Sequence, residues 1–155
     1  VEAVGDVDLD GRPDILAGTR YWVGIYSGLN GVLIRSHAMA SYLNAVKAIG
    51  DLDFDGVQEQ IFGYSLADAA WVLSGATGAT LQIVTGTQPG ESFGVSVGGR
   101  GDYNGDGIPD LLVGSPGATA NGLPYAGRAR VFAGLTGQLS TTSPGWPRTR
   151  SSVAP

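Results

Sequence analysis

Apolar residues in this chain come in short runs separated by glycine-rich and acidic turns, and no stretch carries a pattern that would support a helix of any length. One order of segments occurs three times. An extended segment (Val1–Val4, Asn44–Ile49, Phe93–Val97) leads into an acidic connection, and a short apolar run follows: Ile15-Leu16-Ala17, Ile61-Phe62 or Leu111-Leu112-Val113. A third segment comes next, Tyr21–Tyr26, Ala70–Leu73 or Gly127–Phe132. It ends at a matching turn (Ser27–Gly31, Ser74–Gly78, Ala133–Gly137), from which a fourth segment leaves: Val32–Ile34, Thr80–Val84 or Gln138–Thr141. Four short antiparallel strands per repeat, with the acidic connection between the first and second, predict β-propeller blades. The acidic connections begin at residues 6, 51 and 102, a period of 45 and then 51 residues, which suits an array of small β units. The fold class expected is therefore all-β, with three blades covering about 1–38, 39–86 and 87–143. Pro144–Pro155, rich in Pro, Ser and Arg, reads as a tail or linker.

The three connections share one chemical pattern. Asp6, Asp8, Asp10, Gly11 and Asp14 recur as Asp51, Asp53, Asp55, Gly56 and Glu59, and as Asp102, Asn104, Asp106, Gly107 and Asp110. Carboxylates about 4 Å apart repel by roughly 4 kcal/mol per pair at an effective dielectric near 20, so such crowding costs stability unless a divalent cation sits among them. Calcium suits the pattern: it takes 6–8 hard oxygen ligands in loose geometry, accepts a backbone carbonyl at the seventh position, and tolerates a glycine turn at the sixth. Magnesium asks for stricter octahedra and retains more water.

An EF-hand loop begins in the same way but closes with a glutamate at position 12 between helices. Here position 12 is Ala17, Phe62 or Val113, and the closing acid stands at position 9. The apolar runs that follow read as strands, so these loops join strand to strand.

Composition narrows the picture. A chain of 155 residues that is 43% hydrophobic can fill a core, and 26 glycines fit many turns better than helices. Of the 14 acids, 11 lie in the three loops, leaving Glu2, Asp68 and Glu91. The net charge of −5 is thus a statement about metal, since three divalent ions would reverse its sign. Cysteine is absent, which excludes disulfide scaffolds, thiolate zinc sites and cysteine nucleophiles. No signal peptide or transmembrane span is visible, and the chain opens mid-pattern at Val1–Val4, from which we expect a native N-terminus further upstream.

In the third repeat, Phe93-Gly94-Val95-Ser96-Val97 is followed by Gly101–Asp110 and Leu111-Leu112-Val113-Gly114-Ser115-Pro116. This closely resembles the FG-GAP repeat of integrin alpha-subunit propellers and of many bacterial secreted proteins. The first two repeats keep the acidic loop, lack the Phe-Gly opening, and carry Ala17-Gly18-Thr19 and Phe62-Gly63-Tyr64 in place of the closing motif. The resemblance implies calcium at three sites, on the side-chain oxygens of Asp6, Asp8, Asp10 and Asp14, of Asp51, Asp53, Asp55 and Glu59, and of Asp102, Asn104, Asp106 and Asp110. Backbone carbonyls of Arg12, Val57 and Ile108 would complete the shells. Glu59 replaces the family's usual aspartate and Asn104 removes one charge, so the second and third sites are expected to differ.

Other signals are weaker. Arg100-Gly101-Asp102 is a tripeptide that integrins recognise in ligands, but Asp102 opens a metal loop. His37 reads as a surface residue and, as the sole histidine, builds neither a zinc site nor a catalytic triad. Carboxylate pairs occur only in the metal loops, where a cation would hold them ionised, so enzymatic activity is not expected. Tyr21, Trp22, Tyr26 and Trp71 suit core packing better than a sugar-stacking platform. Arg128 and Arg130 alternate along one strand and read as a solvated face without the basic cluster that nucleic acid needs. Three blades leave open edges, so self-association through them, or completion by other chain segments, is expected. The function expected is a non-catalytic, calcium-binding extracellular or cell-surface module for structural assembly or adhesion through protein contacts. The alternative is a calcium-dependent carbohydrate-binding module accessory to an enzyme.

Overall fold

The computed structural model describes residues 1–38 and 42–143; the expected tail at 144–155 lies outside them. Twelve strands are present among the described residues: β1 (Glu2–Ala3), β2 (Ile15–Gly18), β3 (Trp22–Tyr26), β4 (Leu33–Ala38), β5 (Ala45–Ala48), β6 (Gln60–Tyr64), β7 (Ala69–Leu73), β8 (Thr80–Thr85), β9 (Ser96–Gly98), β10 (Leu111–Ser115), β11 (Arg128–Phe132) and β12 (Leu139–Thr142). They form three four-stranded antiparallel meanders, β1-β2-β3-β4, β5-β6-β7-β8 and β9-β10-β11-β12. The only helical element described is one 3-10 turn, Ser65–Ala67. The protein is all-β, built of propeller blades. Each acidic loop joins a first strand to a second.

The register is the same in all three sheets. Ile15 pairs with Tyr26, Gln60 with Leu73 and Leu111 with Phe132, and each third strand carries a bulge one residue before its turn, at Ile25/Tyr26, Val72/Leu73 and Val131/Phe132. Directly paired residues point to one side of an antiparallel sheet and alternate residues to the other, so each sheet has two defined faces. The first sheet turns Leu16, Val23 and Ile25 onto Ala48, Phe62, Tyr64 and Leu73 of the second. The second turns Ile61, Ala70, Val72 and Val84 onto Leu111, Val113 and Phe132 of the third. Burying side chains of this size contributes about 1.5–3 kcal/mol each, so the two intersheet layers hold most of the stabilising area. Among the described residues each sheet keeps two edge strands, and the outer faces of the first and third sheets meet no further sheet. Successive sheets meet face to face.

Two local expectations are corrected. The extended segment expected at Phe93–Val97 begins only at Ser96, because Gly94 has a left-handed φ of +90°. There the backbone of Gly94 lies against Gly63, where a Cβ would stand 1.9 Å from the Gly94 carbonyl oxygen. Phe93 is fully buried between the second and third sheets, edge-on to Phe132 with ring centroids 5.8 Å apart. The physical role of this Phe-Gly pair is thus a plug and a close backbone approach. Arg130 is not on a solvated face: it is 2% exposed and grips Glu91 with two hydrogen bonds of 2.6 and 2.8 Å, while a third reaches Thr87.

Candidate metal centres

Each acidic loop is wound by the same local bonds. The first carboxylate accepts the N–H of the glycine five residues on: Gly11 to Asp6 at 2.7 Å, Gly56 to Asp51 at 2.9 Å, Gly107 to Asp102 at 2.8 Å. The fifth-position acid accepts the seventh-position N–H, from Arg12, Val57 and Ile108, at 2.9, 2.8 and 2.8 Å. Short acidic side chains that bond the backbone ahead of them are what lets the chain turn so tightly. The turn needs left-handed backbone twice per loop, at Gly11, Gly56 and Gly107 and, two residues earlier, at Leu9, Phe54 and Gly105.

The closing acid is the buried one. Asp14, Glu59 and Asp110 are 1%, 0% and 0% exposed. Asp14 accepts N–H bonds from Val7 (2.7 Å) and Gly28 (2.9 Å), and Asp110 from Tyr103 (2.8 Å), Asn104 (3.0 Å) and Gly134 (3.2 Å). The Gly28 and Gly134 bonds tie the first and third acidic loops to the turn between the third and fourth strands of their sheets. Sequence reasoning assigned these residues to metal alone and did not see this second task.

The loops differ in how far their carboxylates converge. In the second, Asp51, Asp53, Asp55 and Glu59 each bring an oxygen within 4.8 Å of the others. Two of its buried oxygens, Asp51 Oδ1 and Glu59 Oε1, have no hydrogen-bond partner, and Glu59 Oε2 accepts the Leu52 N–H. Burial pushes the Glu59 carboxyl up to about 7; the Leu52 amide opposes this, and the charge of Asp53 adds to it. In the first loop, Asp6, Asp8 and Asp14 converge, while Asp10 turns aside to accept the Ser27 hydroxyl at 3.1 Å. Asp8 is raised from its ordinary value by desolvation and by the neighbouring acids.

Asp102, Asp106 and Asp110 of the third loop form no such group. Asn104 stands among them and donates to Asp106 Oδ2 (2.9 Å) and Asp110 Oδ1 (3.3 Å). Backbone N–H groups, the Gly107 amide foremost, hold Asp102 below the usual carboxylate range. Four converging oxygens with two buried and unpaired are the donor set of a hard divalent cation, so the second loop fits calcium best. The first fits with three side chains, and the third needs Asn104 to turn its oxygen inward.

The other sequence signals resolve as follows. Asp102 of the Arg-Gly-Asp tripeptide is engaged by loop amides and Arg100 reaches the Ala48 carbonyl at 3.4 Å. His37 is half-buried against the second sheet, with Nε2 unpartnered and its pKa lowered by burial and by Arg35, which corrects the surface reading. Trp22 lies edge-on to Tyr26, and Trp71 edge-on to Tyr64. Tyr21 is paired in the same way with Tyr42, but Tyr21 and Trp71 are 56% and 38% exposed, which corrects the core-packing reading for these two. No helix among the described residues is long and apolar enough to cross a membrane.

Comparison with known proteins agrees with this geometry. Residues 93–132, from the buried Phe93 to the end of β11, match the FG-GAP repeat. The chain is similar to Integrin alpha pat-2 of Caenorhabditis elegans, 26% identical over 156 positions. The match covers 73% of this chain but 13% of that protein. The four-stranded sheets, the acidic hairpin loops and the matched third repeat are thus what the chain shares with FG-GAP repeats, and it is similar to an integrin alpha subunit.

Proposed function

We propose that this is a non-catalytic, calcium-stabilised β-propeller module that works outside the cell or at its surface, through contacts with other proteins in adhesion or structural assembly. The observation that carries the calcium part is the second loop, with four converging carboxylates and two buried oxygens lacking partners. Asp51, Asp53, Asp55 and Glu59, with the Val57 carbonyl, would hold one ion. Asp6, Asp8, Asp10, Asp14 and the Arg12 carbonyl would hold a second, and Asp102, Asn104, Asp106, Asp110 and the Ile108 carbonyl a third. Bound calcium neutralises the crowded acids. Because Asp14 and Asp110 also clasp the turn between the third and fourth strands, neutralising their loops stiffens the end of each of those blades. Such loops fill at about 10⁻⁴–10⁻³ M calcium, a concentration found outside cells, which supports the extracellular assignment. The blade partition at about 1–38, 39–86 and 87–143 follows the three sheets and is part of the same proposal.

The likeness to an integrin alpha subunit favours protein contacts over glycan binding. Thermal melting in calcium and in excess EGTA tests the metal part. At ten times the dissociation constant each site contributes about 1.4 kcal/mol, so chelation is expected to lower the midpoint by several degrees. An unchanged melt overturns the calcium assignment. A glycan array probed with and without calcium is expected to be blank, and calcium-dependent spots would replace protein adhesion with lectin-like binding.

A further inference from the structure

The first sheet meets the second, and the second the third, through register-equivalent positions, and one of these positions is filled in two chemically different ways. On β4, Arg35 pairs with Ile25 and His37 with Val23; on β8, Gln82 pairs with Val72 and Val84 with Ala70. His37 therefore stands where Val84 stands one repeat later. Val84 is 3% exposed and belongs to the core. The turns they lie against are equivalent too. A Cβ at Gly137 would stand 3.5 Å from the Val84 side chain, and one at Gly78 would stand 2.7 Å from His37 Cε1 and 3.1 Å from Nε2. An ionisable ring occupies an apolar place, against a turn whose backbone leaves it little room.

The surroundings are made for a neutral ring. His37 Nε2 is buried and has no hydrogen-bond partner. The stretch Leu73–Thr80, which supplies the facing turn, contains no acid or base, and β3 presents Val23 and Ile25. Glu59 feels the Gly75 amide of that turn, but Arg35 is the charged group that acts on His37. Its guanidinium donates to the carbonyls of Gly75 (2.7 Å) and Ala76, latching β4 onto the second sheet. Burial first, and the charge of Arg35 second, hold the imidazole below its ordinary value of 6.5. Protonation makes both ring nitrogens donors, so Nε2–H would be buried without an acceptor and a second cation would stand beside the latch.

We propose that the contact between the first and second sheets is an acid-released joint with His37 as its trigger. Neutral, the ring fills the place of a core valine; protonated, it loosens β4 and Arg35 from the Ser74–Gly78 turn. The next joint carries Gln82 and Val84 at these positions and has nothing to titrate, so the response is confined to one contact. The sign follows from the two states. The unfolded imidazole has its ordinary value and the folded one a lower value, so the joint is fully stable above pH 6.5 and weakens as pH falls toward the folded value. This inference goes beyond the proposed function and does not depend on calcium.

Titration of the full chain in saturating calcium tests it. The chain has one histidine, so a single imidazole signal by NMR reports the folded value directly. Its midpoint is expected below 6.5, moving up toward 6.5 in Arg35→Gln, which puts the next joint's side chain in place of the cation. In urea, the unfolding constant of the parent should rise about three- to tenfold more between pH 7.5 and 5.5 than that of His37→Val, which carries the next joint's residue and should fold. Hydrogen-exchange protection in Leu33–Ala38 should fall over the same range while that in Leu111–Ser115 holds. Taking the difference from His37→Val cancels the titration of the acidic loops. A difference that survives in a chain indifferent to calcium therefore sinks the calcium reading alone. A midpoint at or above 6.5, an equal acid response in His37→Val, or protection lost equally in all three sheets overturns the proposal.

Discussion

Two glutamates of this chain are equally buried and are handled in opposite ways. Glu91, in the connection between β8 and β9, is 1% exposed and is answered by Arg130. Burial opposes its ionisation, but the hydrogen bonds and charge of Arg130 outweigh that, and its pKa falls below the ordinary value. Glu59, in the second acidic loop, is 0% exposed and faces other carboxylates; one oxygen is unpaired and its pKa rises to about 7. The fold thus carries its own cation for one buried acid and lacks one for the other. Where the sequence supplies an arginine, the carboxylate is a finished structural part. Where it supplies three more aspartates, the proposed calcium ion would take the part that Arg130 plays for Glu91.

That contrast can be broken at several points, the largest first. Replacing Arg130 with Leu strands Glu91 and should cost about 3–5 kcal/mol in urea unfolding, whereas Glu91→Leu/Arg130→Leu should recover most of the loss. Next come the closing acids. In calcium-free buffer Asp110→Asn should cost about 1–3 kcal/mol, because both of its oxygens accept backbone amides that would be left short of acceptors. Glu59→Gln should be close to neutral under the same conditions, and equal losses in the two would remove the distinction between the loops. The acid limb of stability is a third test. Glu91 has its pKa lowered in the fold, so its stabilisation is complete above the ordinary glutamate value of 4.5 and is lost as pH falls through the depressed folded value. Melting profiles should show this limb flattened in Glu91→Leu/Arg130→Leu. The smallest effect concerns the loop apex. Phe54 is 70% exposed with φ of +63°, where the third loop has Gly105, so Phe54→Gly should stabilise the chain by about 1 kcal/mol, read as a raised urea midpoint at constant slope.

Much of this architecture is legible in the sequence because its determinants are local. Strand alternation, the glycine turns and the acid spacing all act within a few residues, and they carry the strand order and the loop chemistry. The long-range pairings are not legible. Glu91 and Arg130 are 39 residues apart, and nothing in either neighbourhood marks them as partners, so Arg130 reads as one of two surface arginines. The signal that could have found them is Glu91 itself, one of only three acids outside the loops. Asn104 was legible as a difference but not as a donor, because which way its amide turns depends on the carboxylates folded around it. The Phe93-Gly94 pair suits an extended strand until Gly63 is brought against it by the neighbouring sheet.

The central claim is that the second acidic loop is completed by calcium through Glu59. Calorimetric titration of the full chain and of Glu59→Gln with calcium at neutral pH tests it most directly. The account predicts that the variant loses one class of site, the tightest, while the remaining binding is unchanged. Identical stoichiometry and affinity in the two proteins would contradict it.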